Sequence, residues 1–233
     1  MSQLALPLQL ADHAVFASFL ASGNEALVAT LRNIAELPVN ERKGEGCWIW
    51  GAAASGKTHL IQAMCEAAGD RSAYVPMTMV AAAGPQILDG LASREIVCID
   101  DIDEVAGKRD WESALFELCN QLVDVGGDLI IAANSTPRES AFQLGDLKSR
   151  FAKLPVFQLH ELDDDERILA LQLRSRHRGL ELPDDTAQYL LRRSRRDMAS
   201  LYELLDTLDK AALRAKRRLT IPFVRNVIGN SAE

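Results

Sequence analysis

The sequence predicts an α/β fold, in which a parallel sheet covered by helices is followed by a smaller, all-helical domain. Up to about residue 162, short apolar runs bounded by turn residues alternate with helical patterns, and after that point only helical patterns occur. A glycine-rich loop joins the first apolar run to a helix. With 233 residues and 48% hydrophobic content, the chain can bury one good-sized core and a smaller one. We therefore expect a flexible tail at 1–10, a base domain at 11–162 and a helical lid at 163–233.

Each predicted strand of the base domain is a short apolar run bounded by turn residues. The five runs lie at 47–50, 72–75, 96–99, 129–133 and 156–159. Helical stretches separate them, and two of these end at glycines, which accept the backbone conformations that stop a helix. The helix at 58–68 is stopped by Gly69, and the helix at 111–125 is stopped by Gly126 and Gly127.

The lid is predicted to contain helices at 163–177, 185–193 and 198–217. The first of them repeats apolar residues at helical spacing, among them Ile168, Leu169 and Leu171. Thr220 could cap a last short helix, with Pro222 in its first turn, where a proline costs no backbone hydrogen bond.

Composition and charge argue against two classes of protein. The net charge of −7 disfavours a general nucleic-acid binder, because phosphate binding needs a positive face. The lid nevertheless carries a basic cluster that leaves room for a phosphate or partner contact, at Arg192, Arg193, Arg195 and Arg196. The sequence contains no apolar run of about 18 residues and no secretory leader, so we expect a cytoplasmic protein without membrane contact. The four cysteines are widely spaced within apolar stretches, which favours buried, reduced thiols.

The segment from Gly51 to Thr58 reads GAAASGKT and fits the phosphate-binding pattern GxxxxGK[ST]. A predicted strand precedes it and a predicted helix follows, which is the context that the pattern requires. The glycines Gly51 and Gly56 let backbone N–H groups curl around an anion, Lys57 can bridge outer phosphates, and the Thr58 hydroxyl can bind Mg²⁺. The sequence therefore predicts a site for ADP or ATP with Mg²⁺. Two further residues of the segment belong to the predicted nucleotide-binding set, Ser55 and His59.

Two carboxylates follow the third predicted strand. Asp100 and Asp101 end the apolar run at 96–99, at the sheet edge where a metal beside the phosphates would lie. We expect Asp100 to hold Mg²⁺ through water and Asp101 to orient or activate the water that attacks the nucleotide. Since many ATPases of this class have Glu in place of Asp101, its shorter side chain predicts slow intrinsic hydrolysis.

Three further features complete a pattern that resembles the AAA+ family, specifically its DnaA-like branch. Asn134 follows the fourth strand, Arg150 lies in the segment LKSRF, and Arg196 lies in the lid segment RRDMASL. The resemblance covers nearly the whole chain and implies an AAA+ base domain with a helical lid. It also implies that Asn134 senses the γ-phosphate, Arg150 reaches the nucleotide of a neighbouring subunit, and Arg196 touches the bound phosphates. We expect Arg150 at the exposed end of a helix between the fourth and fifth strands. A salt bridge from Arg150 to an acid such as Asp146 is the alternative.

The N-terminal part of the chain refines the resemblance. Phe16, Phe19 and Asn24 look like the adenine-pocket segment of the family. Residues 3–8 read QLALPL and resemble the peptide by which bacterial proteins dock on the replicative sliding clamp, the β subunit of DNA polymerase III. A tail that orders on binding could bury apolar side chains in a pocket of that clamp. The residues assigned to this contact are Gln3, Leu4, Leu6, Pro7 and Leu8.

The resemblance implies a regulator of the initiator DnaA. Such a protein would hold ADP or ATP as a brace between its domains, sit on the DNA-loaded clamp and present Arg150 to ATP held by DnaA. The sequence ends after the predicted lid without a helix-turn-helix, so we expect no sequence-specific DNA binding. The resemblance also admits a homo-oligomer.

Two other functions stay open at the level of sequence. A helicase-loader-like AAA+ ATPase would hydrolyse its own nucleotide while remodelling a partner, but it gives no reason for the QLALPL segment. A small P-loop kinase or transferase would need an acceptor-substrate pocket, which the sequence does not reveal. Clamp binding separates the regulator from the loader, and transfer of labelled phosphate to an acceptor would indicate the kinase.

Overall fold

The computed structural model describes residues 14–38, 41, 44, 46–195, 197–215 and 217–230. The predicted clamp-binding residues 3–8 and the predicted lid arginine, Arg196, lie outside the described residues.

The base domain is built on five strands, each of which begins and ends within one residue of its prediction. They are β1 (Cys47–Trp50), β2 (Ser72–Pro76), β3 (Ile96–Asp100), β4 (Asp128–Ala133) and β5 (Val156–Gln158). All pairs are parallel and the strand order is β2-β3-β4-β1-β5. Since β3 and β1 flank β4, the segments that follow these three strands meet at one edge of the sheet. The fold confirms the predicted α/β class and parallel sheet.

Helices cover both faces of this sheet. On one face lie α1 (Glu25–Glu36) and α2 (Lys57–Ala68). The other face carries α3 (Met77–Val80), α4 (Arg109–Val125) and α5 (Gly145–Phe151). Because both faces are covered, the three central strands β1, β3 and β4 bury nearly every side chain, which explains why they read as continuous apolar runs.

The strands supply alternate residues to two separate cores. In β3, Ile96 and Cys98 pack toward α1 and α2, whereas Val97 and Ile99 pack toward α4. This alternation follows from the pleat, which points successive side chains to opposite faces. The four cysteines of the chain are all buried and unpaired, as predicted. Burial raises the pKa of Cys47 to about 12, so its thiol stays protonated at neutral pH.

The lid consists of α6 (Asp164–His177), α7 (Asp184–Arg193), α8 (Met198–Ala215) and α9 (Ile221–Asn230). These helices surround a third core that is separate from the two cores of the base domain. The predicted lid and its four helices are therefore confirmed, with ends shifted by one or two residues. In the part of the chain that the structure describes, no helix is both long and apolar enough to cross a membrane.

A capping box fixes the start of the lid. The Asp163 side chain accepts a hydrogen bond from the backbone N–H of Glu166 at 2.8 Å, and the Glu166 carboxylate accepts one from the backbone N–H of Asp163 at 2.9 Å. This pairing satisfies two N–H groups that a helix start leaves free. Asp163 is thus the cap of α6, the first helix of the lid.

Candidate functional site

The loop between β1 and α2 has a backbone that depends on its glycines. Gly56 caps α2 with φ of 107°, a conformation that residues with side chains rarely adopt. A Cβ on Gly51 would lie 2.9 Å from the carbonyl oxygen of Leu159, so the loop passes directly against the segment after β5. Ala54 also has a positive φ, of 59°. A loop of this kind at a helix N-terminus is the setting in which backbone N–H groups bind an anion.

Lys57 lies at the centre of the polar contacts in this loop. The side chain is buried, and Nζ donates hydrogen bonds to the carbonyl oxygens of Gly51 and Ala52, both at 2.8 Å, and to Oδ1 of Asn134 at 3.2 Å. Burial lowers the pKa of Lys57, while the carboxylates around it act in the opposite direction. Because an ammonium has three donors, a bound phosphate would replace one of these acceptors.

Asp100 ends β3 with a buried carboxylate. Its Oδ2 accepts a hydrogen bond from the Tyr74 hydroxyl at 3.0 Å, its Oδ1 accepts one from the backbone N–H of Asp101 at 3.1 Å, and the Thr58 side chain also bonds to it. Burial raises the pKa of Asp100 above its ordinary value, and these hydrogen bonds oppose the rise. The two residues predicted to bind Mg²⁺, Thr58 and Asp100, are therefore in direct contact.

Asp101 and Asn134 reach the same region from neighbouring strands. Asp101 adopts a left-handed conformation with φ of 52°, which is uncommon for a residue other than glycine. Burial raises the pKa of Asp101, and the nearby charge of Asp100 adds to the effect. The backbone N–H of Asn134 donates to the Asp103 carboxylate at 2.7 Å, and this bond anchors the segment after β4. Both residues line the same cavity as Lys57.

This nucleotide cavity has a volume of about 520 Å³ and lies between the base domain and the lid. Its volume falls within the range of roughly 300–1,000 Å³ that is typical of small-molecule sites. The base domain contributes the loop and the start of α2, and the lid contributes Arg174, Met198 and Tyr202. A ligand in the cavity would therefore contact both domains.

His59 and Arg174 connect the base domain to the lid at the wall of this cavity. Nε2 of His59 lies 3.1 Å from the carbonyl oxygen of Val15, and Nδ1 lies 3.4 Å from Nη1 of Arg174. Burial lowers the pKa of His59 to about 4, and the charge of Arg174 adds to the effect, so the ring is neutral at pH 7. Sequence reasoning selected His59 but missed Arg174 and its stacking partner Tyr202, because no motif marks either residue.

The three residues predicted to form the adenine pocket lie near one another but differ in their contacts. Phe19 and Asn24 line a small recess beside the loop. Phe16 packs instead beneath Arg32, whose guanidinium carbon lies 5.3 Å from the ring centroid. The Asn24 side chain bonds to both backbone groups of His160, at 2.9 and 3.3 Å, so it ties the N-terminal segment to the segment after β5. A role in base recognition stays a prediction for all three.

Arg150 lies away from this cavity, near the end of α5. It is half-buried, whereas the sequence predicted an exposed position, and its Nη2 donates to Oδ1 of Asn120 on α4 at 2.8 Å. Among the described residues, no salt bridge joins Arg150 to Asp146, the alternative partner that the sequence offered, because the guanidinium turns toward α4. Arg150 lines a second cavity of about 170 Å³ between α4 and α5, together with apolar residues such as Leu122.

Glu112 fixes the segment that leads into α5. This buried carboxylate on α4 accepts hydrogen bonds from the backbone N–H groups of Gly107 at 2.7 Å, Gln143 at 3.0 Å and Leu144 at 2.6 Å. A buried carboxylate with this many backbone donors is expensive to remove, since the donors would be left unpaired. Glu112 therefore helps to hold Arg150 in its position, and no sequence signal separates it from an exposed acid on the same helix.

The residues around the loop fit a nucleotide with Mg²⁺. The Ser55 hydroxyl is buried in the loop and lacks a hydrogen-bond partner among the described residues, so it can serve an anionic ligand. The hydroxyl of Thr58 and the carboxylate of Asp100 are oxygen donors of the kind that Mg²⁺ prefers. Within the described ranges, no group of three or more His, Cys, Asp or Glu could hold a metal ion.

Comparisons with known proteins agree with this arrangement. The family model described as the bacterial DnaA ATPase domain matches residues 10–154, more than half of the chain. The chain belongs to the bacterial DnaA ATPase-domain family. Within this DnaA homologue, residues 164–228 match a second family model, described as the lid domain of Hda. The chain is therefore an Hda-like DnaA homologue, and the predicted AAA+ fold with its lid is confirmed.

Solved structures share the fold of this DnaA homologue. Domain III of the replication initiation protein DnaA from Thermotoga maritima aligns with a TM-score of 0.75 and 20% identity, over 94% of this chain and 97% of that chain. AMPPCP-bound DnaA from Aquifex aeolicus aligns with a TM-score of 0.65 and 21% identity, over 89% and 69%. The Holliday junction branch migration motor RuvB from Thermotoga maritima aligns with a TM-score of 0.64 and 15% identity, over 89% and 68%.

Proposed function

We propose that this chain is a cytoplasmic regulator of replication initiation that docks on the DNA-loaded sliding clamp and stimulates hydrolysis of ATP bound to DnaA. Membership of the DnaA ATPase-domain family supports a partnership with DnaA, because AAA+ domains of one family can pair through similar surfaces. The match of the lid to the Hda model supports a regulatory role. The net charge of −7 agrees with a protein that meets DNA through the clamp.

The chain's own nucleotide, ADP or ATP, would occupy the nucleotide cavity between the base domain and the lid. The loop amides and Lys57 would bind the phosphates, and Thr58 and Asp100 would hold Mg²⁺, which neutralises phosphate charge when bound. The AMPPCP-bound DnaA of Aquifex aeolicus supports a nucleotide of this class. Because the cavity is lined by both domains, the nucleotide would act as a brace between them.

The observation that carries the proposal is the separation of Arg150 from the nucleotide cavity. Arg150 lines the 170 Å³ cavity between α4 and α5, whereas Lys57, Asp101 and Asn134 line the nucleotide cavity. A guanidinium in that position is of no use to the chain's own phosphates. It is well placed to serve a nucleotide that another subunit brings to this surface.

The chemistry proposed for Arg150 is that of an arginine finger. A guanidinium supplied by a neighbour neutralises the charge that develops on the transferred phosphoryl group, a contribution of about 10³–10⁵ in rate in related enzymes. To reach DnaA-bound ATP, Arg150 would exchange its hydrogen bond to Asn120 for bonds to phosphate oxygens. A hydrogen bond from a charged group to a neutral amide is worth about 1.5–3 kcal/mol, which bonds between two charged groups can offset.

The second part of the proposal is that residues 3–8 bind the sliding clamp. Residues 3–8 would place Leu6 and Leu8 in an apolar pocket of the clamp while Gln3 makes polar contacts. Docking on a clamp that encircles DNA would raise the local concentration of the chain near DNA-bound DnaA, which strengthens a weak contact without new interactions.

A specific observation favours one alternative, an AAA+ ATPase that hydrolyses its own nucleotide in the manner of a helicase loader. Asp101 and Asn134 lie in the nucleotide cavity beside Lys57, as own-site hydrolysis requires. Against this alternative, Asp101 has a shorter side chain than the Glu that many ATPases of this class carry, and it extends from a left-handed backbone, so it would place an attacking water poorly.

The deciding experiment measures hydrolysis of labelled ATP bound to DnaA, with and without the chain, in the presence of clamp loaded on DNA. The proposal predicts stimulation that needs both the chain and the loaded clamp. Hydrolysis of ATP by the chain itself, with no effect on DnaA-bound ATP, would favour the alternative and contradict the proposal.

A further inference from the structure

Arg174 is a buried cation that points into the nucleotide cavity, and the protein provides hydrogen-bond partners for only part of its guanidinium group. It is 7% exposed and lines the cavity that also contains Lys57. Its Nη1 lies 3.4 Å from Nδ1 of His59, and its Nε has no hydrogen-bond partner among the described residues. Burial lowers the pKa of Arg174, a sign that the protein stabilises this charge poorly.

Arg178, one turn further along α6, shows how the same fold neutralises an arginine. Its Nη1 forms salt bridges with Asp206 and with Asp209, the second at 3.7 Å. In the described part of the chain, Arg174 has no carboxylate within salt-bridge distance. Asp206 acts on Arg174 only from beyond salt-bridge distance and is itself paired with Arg178. Since a buried charge without an ion pair is destabilising, an anion in the cavity would stabilise Arg174.

The contacts of Arg174 also fix the orientation of its guanidinium. Its Cζ lies 4.2 Å from the centroid of the Tyr202 ring on α8, a distance at which a cation binds the face of an aromatic ring. His59, on the other side, follows directly after Thr58 of the phosphate-binding loop. The planar group is thus clamped between the lid and the start of α2, at the wall of the cavity.

We propose that Arg174 binds the phosphate chain of the nucleotide from the lid side, opposite Lys57. The inference rests on the proposed binding of ADP or ATP in this cavity. A guanidinium suits this role, because its planar fork can donate two hydrogen bonds to phosphate oxygens. Through this contact the bound nucleotide links α6 and α8 of the lid to the phosphate-binding loop.

The test compares the affinity of the full chain for ADP and for adenosine in three variants, with the melting temperature of each variant measured without nucleotide. Arg174→Ala removes the cation, Arg174→Lys keeps the charge without the fork, and Arg176→Ala removes an exposed arginine of the same helix as a matched control. We expect Arg174→Ala to weaken ADP binding by about tenfold or more, the loss of a charge-assisted contact. Arg174→Lys should retain part of the affinity, and Arg176→Ala should match the wild type.

Two results would overturn the role of Arg174. One is ADP affinity of Arg174→Ala within about twofold of the wild type, with only a lower melting temperature, which would indicate a structural residue. The other is an equal loss for ADP and adenosine, which would indicate a contact with the base or ribose. Failure of the wild type to bind ADP would instead contradict the proposed nucleotide site itself.

Discussion

The nucleotide cavity and the Arg150 surface are built in different ways. The nucleotide cavity brings together residues from the loop, from three strand ends and from the lid. In it, the positive charge of Lys57 lies close to the carboxylates that follow β3. The surface around Arg150 is a small, largely apolar cavity between two neighbouring helices, and its guanidinium bonds to one amide side chain, Asn120. The first region is suited to bind a charged ligand, and the second is suited to present the positive charge of Arg150 to a partner. Variants in one region should therefore leave the activity of the other largely intact.

The largest effect is expected for Lys57→Ala. Lys57 bonds to three oxygen acceptors around the loop, and its loss should weaken ADP binding by about 2–5 kcal/mol, or roughly 30-fold to several thousandfold. ADP should raise the melting temperature of the wild type but not of this variant, because a ligand stabilises only a state that it binds. Lys153→Ala, at an exposed position beside the Arg150 cavity, is the matched control and should respond to ADP as the wild type does.

The predicted clamp peptide, residues 3–8, belongs to neither region, so its variants should affect clamp binding alone. Replacing Gln3, Leu6 and Leu8 by Ala should weaken clamp binding by at least about 2 kcal/mol, roughly 30-fold, since anchor residues of this kind carry most of the affinity. ADP affinity and melting temperature should stay at wild-type values. Unchanged clamp affinity, or a large loss of thermal stability, would show that this segment is part of the folded domain.

A smaller effect is expected from the titration of His59. Burial lowers the pKa of His59 to about 4, from 6.5 in an unfolded chain, so the unfolded state binds the proton more readily. The stability that the neutral ring contributes is therefore complete above pH 6.5 and is lost as the pH falls toward 4. Between pH 7 and pH 5 this contribution should fall by about 2 kcal/mol. Chemical unfolding at both pH values should show a larger fall in the free energy of unfolding for the wild type than for His59→Gln. An equal fall in the two proteins would contradict this role of His59.

The strands and the phosphate-binding loop could be predicted because their signals are local. A run such as 96–99 is apolar throughout because helices cover both faces of the sheet. The pattern GxxxxGK[ST] contains, within eight residues, both the side chains that bind phosphate and the glycines that the loop backbone requires. The order of strands then brings Asp100, Asp101 and Asn134 to one edge, the edge at which the sequence predicted the two carboxylates.

The contacts that could not be predicted join residues far apart in the chain. Arg174 meets His59 across 115 positions, and Asn24 meets His160 across 136 positions. On a helix with many arginines, sequence does not show which guanidinium turns inward. The same applies to Arg150, for which Asp146 is nearer in sequence but Asn120 is the partner in space. Such choices depend on how helices pack, which a single sequence does not display.

The central claim is that Arg150 acts on the nucleotide of another subunit. Its most direct test measures the stimulation of DnaA-bound ATP hydrolysis, on clamp loaded on DNA, for Arg150→Ala, Arg150→Lys and Asn120→Ala. Asn120→Ala removes the same internal hydrogen bond but keeps the guanidinium, so it separates a lost finger from a disturbed helix.

The account predicts that Arg150→Ala abolishes the stimulation and that Arg150→Lys restores little of it, since an ammonium cannot form the two parallel bonds of a guanidinium. Asn120→Ala should still stimulate, and all three variants should keep wild-type ADP affinity with a stability loss of about 3 kcal/mol at most. Stimulation by Arg150→Ala equal to that of the wild type would contradict the account, because the guanidinium would then have no role in the hydrolysis of ATP bound to DnaA.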